Sequence, residues 1–365
     1  MRLRTLFVSL LVLAGLGCNS TNVAPVSTGS SKRSYNGSAS IGDFLAITLD
    51  PVALTLTYTN LSNGDTGVVP YTVNTDGTYA LNDPKHNLLA AYEVPNYALL
   101  LQAAKAGPNH DTLALVTAVQ KSTISVATWA DHDYNYMQFR TSSGGMEVGS
   151  ISLDAQANIS LTSYSPFGAG QGNAFHVGGF PGSSFQTDPS GSFLIMSEGS
   201  GASDYVFGTA NGIFAVDNPN GTILGLKKAA TKDFDPAFAG NYKVIYYQKT
   251  GAQTGQGNVE TGTPGLGNAT MVISADAQIT VTGNNGATLV QASLRPVADT
   301  PYLNGSNELQ DPCFGLFTFR VTTATSQRDV FVSFMDRAIL FSSFKANLPW
   351  SQGNTYDYLY GVGLK

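Results

Sequence analysis

The residues best placed by type and spacing to do chemistry are Asp131-His132-Asp133-Tyr134. Neighbouring side chains on a strand point to opposite faces. Asp131 and Asp133 would therefore share a face able to hold one metal ion or one sugar, with His132 turned away. The simpler reading is a solvated connection between two larger units, and no metal is assigned on this pair. Asp217-Asn218-Pro219-Asn220-Gly221 offers oxygen ligands at loop spacing. The acid that completes a calcium loop is missing, and an Asn-Gly hairpin turn explains the stretch as well. Neither G-x-S-x-G nor H-E-x-x-H occurs. Ser342-Ser343-Phe344-Lys345 matches S-x-x-K, a motif that acts from a helix N-terminus, but it falls in a strand-like stretch. The glycine-rich segments 168–172 and 251–257 lack the strand-to-helix context that cradles phosphate. No catalysis and no cofactor are expected.

Aromatic residues are the remaining signal. They recur in the strand-like stretches NYMQF, NYKVIYY and TYDYLY, which begin at Asn135, Asn241 and Thr355. Alternate rings would fill a core on one face and line an opening on the other. Tyr134, Tyr136 and Tyr242 join Asp131 and Asp133 as candidate contacts for a small apolar or sugar ligand.

The elements that must position these residues are strands. Residues 44–50, 54–59, 68–73, 88–94, 113–119 and 124–129 are apolar or β-branched runs of strand length, bounded by Gly, Asn, Asp or Pro. YALLLQAAKA, residues 97–106, is rich enough in Ala and Leu for a helix, yet its counterparts later in the chain read as strands, so a strand is expected there too. From Tyr134 onward a repeat can be followed. Asn135-Tyr136 and Asn241-Tyr242 open aromatic strands, and the hairpin ISLDAQANISLT (151–162) returns as ISADAQITVT (273–282) with two residues fewer in its turn. Asp188-Pro189 and Asp311-Pro312 come next, and each copy closes on GLK, at 225–227 and 363–365. Asp154 and Asp276 are expected to serve the turns. A worn third copy is read at VNTDGTY (73–79) and Asp83-Pro84. The divisions that follow are repeats at 34–130, 131–230 and 238–365, with a hinge at 231–237.

A period of some hundred residues exceeds a propeller blade or a solenoid unit and matches a small closed barrel, in which no strand edge is left exposed. GNYK and YLYGVGLK resemble the opening and closing strands of lipocalin-like and avidin-like barrels. The expected fold is all-β, with two or three tandem antiparallel barrel-like repeats. The alternative is a six-bladed β-propeller, because SPF (165–167) followed by DPSGSFL (188–194) resembles blades of lactonase-like propellers, a likeness that would imply a hydrolase.

Arg2 and Arg4, an apolar run over residues 5–14 and Gly15-Leu16-Gly17-Cys18 read as an export signal. LAGLGC resembles the lipobox of bacterial lipoproteins. That resemblance implies cleavage after residue 17, a diacylglycerol on Cys18 and a membrane partner through the lipid. It departs from the family where Gly15 replaces the usual Leu. Residues 18–33 would form a flexible tether, and Asn19 would fit outer-membrane or cell-surface sorting. Removing residues 1–17 takes away two arginines and no acids, leaving 17 minus 25, a formal charge of −8. A net acidic chain without a basic run argues against nucleic acid. Cys313, alone once Cys18 carries lipid, is expected as a buried small hydrophobe. The function expected is a non-catalytic binding or structural role in the envelope, with an adhesin as a further alternative.

Overall fold

In a computed structural model, the protein is described over residues 31–85, 88–106, 112–140, 145–155, 159–167, 176–179, 184–197, 203–210, 212–219, 221–254, 258–299, 313–322, 327–345 and 355–365. Cys18, His86, His110 and Asp311-Pro312 lie outside these. Period-two alternation becomes strands in most of the expected places, including Ala98–Ala106, where the apolar run would also have suited a helix. The strand expected over 124–129 is instead a short 3-10 helix at Val126–Thr128, in the connection between the first two sheets.

The first sheet is a closed up-and-down barrel of β1 (Arg33–Ala39), β2 (Asp43–Asp50), β3 (Thr55–Asn60), β4 (Thr66–Val73), β5 (Thr78–Leu81), β6 (Leu88–Val94), β7 (Ala98–Ala106) and β8 (Thr112–Gln120). Closure comes from β1 pairing with β8, Gly37 opposite Ala118. One face of every strand points inward, and Leu45, Ile47, Leu49, Leu56, Val69 and Val116 are among the residues that fill the interior. Eight strands enclose just enough space for side chains.

The second sheet is built from β9 (His132–Arg140), β10 (Gly145–Leu153), β11 (Ile159–Phe167), β12 (His176–Gly179), β13 (Ser184–Thr187), β14 (Leu194–Ser197), β15 (Ser203–Gly208), β16 (Ile213–Asn218) and β17 (Gly221–Lys227). The third contains β18 (Gly240–Thr254), β19 (Asn258–Ile273), β20 (Gln278–Gly283), β21 (Thr288–Ser293), β22 (Arg295–Pro296), β23 (Leu316–Thr322), β24 (Gln327–Met335), β25 (Ala338–Lys345) and β26 (Thr355–Leu364). Each is a nine-stranded sheet whose last strand returns beside its first, β17 on β9 and β26 on β18. Among the described residues each stays open at one seam, between β12 and β13 in one and β21 and β22 in the other. The expected tandem antiparallel barrel-type architecture is therefore present, and radial four-stranded blades are not.

The repeat differs in register from its reading in the sequence. Leu153 pairs with Ile159 to close the β10–β11 turn, and Ile273 faces Ile279 across the β19–β20 turn. The two turns are thus equally long, spanning 154–158 and 274–278, and the shared Asp-Ala-Gln sits two residues later in the second. The same displacement affects the aromatic strands. Tyr134 faces Ile151 and Tyr242 faces Met271, so the counterpart of Tyr242 is Tyr134 and not Tyr136. The worn third copy is also misplaced. Residues 73–79 turn between the fourth and fifth strands of the barrel, whereas the repeated hairpin joins second and third strands. In the barrel that place belongs to ITLDPVALTLT, residues 47–57.

Glycines face aromatic rings across strand pairs. Tyr246 lies over Gly267 and Tyr58 over Gly67, where a Cβ would come within 2.3 and 2.5 Å of the ring. Three core clusters hold the molecule together. One fills the first barrel and one the inside of the third sheet. The central one joins Phe44 and Leu100 on the outside of the barrel to Phe207 and Phe214 of the second sheet and Tyr247 and Tyr360 of the third. Phe44 stacks on Tyr205 at 4.9 Å, and Phe139 on Tyr360 at 4.1 Å.

Candidate functional site

The densest polar constellation is sealed inside the first barrel. Glu93 enters from β6 and Arg33 from β1, with side chains 0% and 4% exposed. Arg33 Nε donates to Glu93 Oε1 at 2.6 Å and Nη2 to Oε2 at 2.7 Å, the bidentate fork that suits guanidinium and carboxylate. Tyr79 donates its hydroxyl to Oε2 at 2.8 Å, and Tyr35 donates to Oε1. The Tyr71 ring stacks on Tyr79 at 4.8 Å. Burial, followed by the Glu93 charge and hydrogen bond, pushes the Tyr35 and Tyr79 hydroxyls far above the usual phenol range. Tyr71 is pushed up to about 12, again chiefly by burial. Arg33 is held more firmly protonated by its bond to Glu93. The four bonds to Glu93 all run between members of this group, which braces the barrel from within.

At the other end of the barrel lies a mouth of about 60 Å³, lined by Asp43, Tyr58, Asn60, Asp65 and Lys105 among others. A drug-sized ligand needs about 300 Å³ or more. The mouth has room for a few waters. Burial raises the pKa of Asp43, a hydrogen bond from Asn60 opposes this, and the Asp65 charge adds to the rise.

A second polar group ties the barrel to the second sheet. Asp217 of β16 is buried and accepts from Ser38 Oγ of β1 at 2.5 Å, and Ser38 Oγ also lies 2.5 Å from Thr222 Oγ1 of β17. Burial drives the Asp217 pKa well above its ordinary value, and the nearby charges of Asp43 and Asp204 push the same way. Its Asn-Gly neighbour is a hairpin, Asn218 pairing with Gly221. Among the described residues no group of three or more His, Cys, Asp or Glu could hold a metal ion.

The residues singled out in the sequence are not gathered around one opening. Asp131 is exposed, with φ +57°, and its N–H donates to the Asp154 carbonyl at 3.1 Å. Asp133 is also exposed, and its carbonyl accepts from Lys228 N at 2.8 Å. His132 Nε2 lies 3.4 Å from Lys227 Nζ. Tyr134 is fully buried against Phe214, and its hydroxyl has no hydrogen-bond partner among the described residues. Tyr136 is buried and donates to Glu147. Tyr242 belongs to the separate core of the third sheet and donates to the Phe238 carbonyl at 2.6 Å. Ser342 and Ser343 lie buried in β25, away from any helix. Cys313 is buried, as expected of a small apolar side chain.

Sequence reading passed over Arg33 and Glu93, and weighed Asp217 only as part of a calcium-like loop or a hairpin turn, not as a buried acid. The available signal was a lone charge inside an otherwise uncharged strand, in a chain where charged residues are only 12%.

No family model matches the chain. No curated protein matches it either. Among solved structures it is similar to a variant of transferrin binding protein B from Haemophilus parasuis Hp5, with 9% identity and a TM-score of 0.26 over 88% of this chain. It spans 66% of that protein's chain. Intact Ap-TbpB, with its N and C lobes, is similar at 7% identity and a TM-score of 0.22, over 92% of this chain and 77% of that one. Likeness at these TM-scores carries no argument about function. No described helix is long and apolar enough to cross a membrane.

Proposed function

We propose that this is an exported, lipid-anchored protein of the bacterial envelope, with a non-catalytic binding or structural role exerted through the outside of its sheets. The observation that carries the reading is the filled first barrel. Its interior is occupied by side chains and braced by the Arg33–Glu93 network, and its mouth measures about 60 Å³. A barrel built to hold a small ligand would spend that volume on a cavity. The lipobox-like stretch ending at Cys18 and the charge-free segment after it support export and anchoring. A macromolecular surface is the partner this geometry suits best, with no cofactor and no nucleic acid.

Two measurements test the reading. Palmitate fed to expressing cells should label the wild type and not Cys18→Ala; equal labelling of both removes the anchor. Thermal unfolding against panels of apolar small molecules and oligosaccharides should show no saturable rise in Tm. A rise abolished by substituting residues at the barrel mouth would overturn the surface-binding reading.

A further inference from the structure

One end of the first barrel carries both the entry of the chain and an apolar tip. Arg33, the first residue of β1, pairs with Leu49 near the end of β2, and Asp50 pairs with Thr55 across the following turn. Lys32 Nζ meets Asp50 Oδ2 at 3.2 Å, so the segment arriving from Cys18 touches this turn directly. Between Asp50 and Thr55 stand Pro51-Val52-Ala53-Leu54. Val52 is 73% exposed, the most open of the large apolar side chains among the described residues, and Leu54 is 42% exposed.

Three features suit this turn to an apolar phase. Asp50 Oδ1 accepts from Val52 N and Ala53 N at 3.0 Å each, Pro51 has no N–H, and the Leu54 carbonyl accepts from Tyr71 N at 2.9 Å. Two of the turn's N–H groups and one of its carbonyls are therefore already bonded within the protein, which lowers the cost of dehydrating its tip. The one carboxylate present is paired with Lys32. Leu54 also holds φ at +52°, a left-handed conformation that a branched side chain adopts only under constraint and that tends to mark functional turns.

We propose that the turn of residues 50–54 seats its apolar tip in the interface of the bilayer that carries the Cys18 lipid. The inference rests on the lipid-anchored reading. Residues 18–32, at no more than about 3.5 Å each, reach only about 50 Å, and they lead to this end of the barrel and no other. Such a leash keeps the tip at high local concentration over the membrane, where a contact too weak to bind alone is populated. Apolar groups of interfacial anchors sit about 5–10 Å into the headgroup boundary, a depth that Val52 and Leu54 can enter while the barrel stays in water.

The test uses the full lipidated chain in vesicles of phosphatidylethanolamine and phosphatidylglycerol. Val52→Cys is coupled to an environment-sensitive fluorophore, with Leu61→Cys at the opposite end of the barrel as the comparison. Cys313 is buried and Cys18 would carry lipid, so the label goes to the new thiol. The expected result is a blue shift and quenching by doxyl-labelled lipid at position 52, with water-like emission at 61. Palmitate incorporation is measured on the same protein. Palmitate present with position 52 water-like, or quenched no more than 61, overturns the inference and leaves the anchor standing. Palmitate absent removes the anchor, and the inference falls with it.

Discussion

Truncating Glu93 to alanine should be among the most damaging single changes in the first barrel. The carboxylate accepts two bonds from Arg33, at 2.6 and 2.7 Å, one from Tyr79 at 2.8 Å and one from Tyr35. Its removal leaves a guanidinium whose side chain is 4% exposed without a counter-charge, and two phenols without an acceptor. Breaking a buried pair by deleting one partner costs about 3–5 kcal/mol. Each orphaned buried donor adds about 1–3 kcal/mol, less whatever water entering the new space recovers. Glu93→Ala should therefore destabilise by about 4 kcal/mol or more. Glu93→Gln keeps an acceptor and should cost less. The joint change Arg33→Met with Glu93→Leu removes the charge penalty, leaving the two tyrosines as the main loss. Because three sheets share a core, the readout should be local: hydrogen exchange of β1 and β6 amides in the full chain, which gives the opening free energy of the barrel. A Glu93→Ala loss below about 1 kcal/mol would refute the reasoning, since the pair could then not be as dry as its geometry requires.

Asp217→Asn should stabilise the protein at neutral pH. The folded-state pKa of Asp217 is raised above its ordinary 3.8, so its favourable contribution is complete below that value and is lost as pH rises through the folded pKa. The asparagine variant should show a higher Tm at pH 7 and a flatter decline of Tm above pH 4; parallel curves would contradict this. Gly361→Ala places a Cβ 2.4 Å from Phe341 Cζ and 2.6 Å from the Ile245 carbonyl, and the backbone atom cannot give way. A loss of about 1–3 kcal/mol is expected, read as a fall in Tm, and an unchanged Tm would mean that the β25–β26–β18 packing is looser than described.

Alternation made the all-β class legible and internal repetition revealed its duplicated plan, but the register was not. A shift of two residues returns every side chain to the same face, so a period-two pattern fits equally well before and after it. ISLDAQ and ISADAQ align by identity, yet the backbone aligns Leu153 with Ile273. The turn decides the matter through its own hydrogen bonds. Ser274 Oγ accepts from Gln278 N at 3.0 Å, and Ala277 takes φ +62° to close it. The same freedom hid the first copy of the hairpin. Asn, Asp and Gly mark any tight turn, so residues 73–79 imitated the motif while the real counterpart, with Pro51 in its turn, did not.

The buried charges were harder to foresee, because each is required by its neighbours and not by its own strand. Eight strands leave an interior that must be filled, and Tyr35, Tyr71 and Tyr79 supply the bulk. Tyr35 and Tyr79 bring hydroxyls that need an acceptor once water is gone, and Glu93 provides it. A carboxylate at that depth in turn needs a counter-charge, which Arg33 provides from the strand that closes the barrel. A network of this kind stabilises only when complete, since any missing member strands the others in a medium of low dielectric. The same completeness bears on function. A ligand entering the barrel would have to displace bonds that are already satisfied, whereas the apolar tip of residues 50–54 has nothing to give up but water.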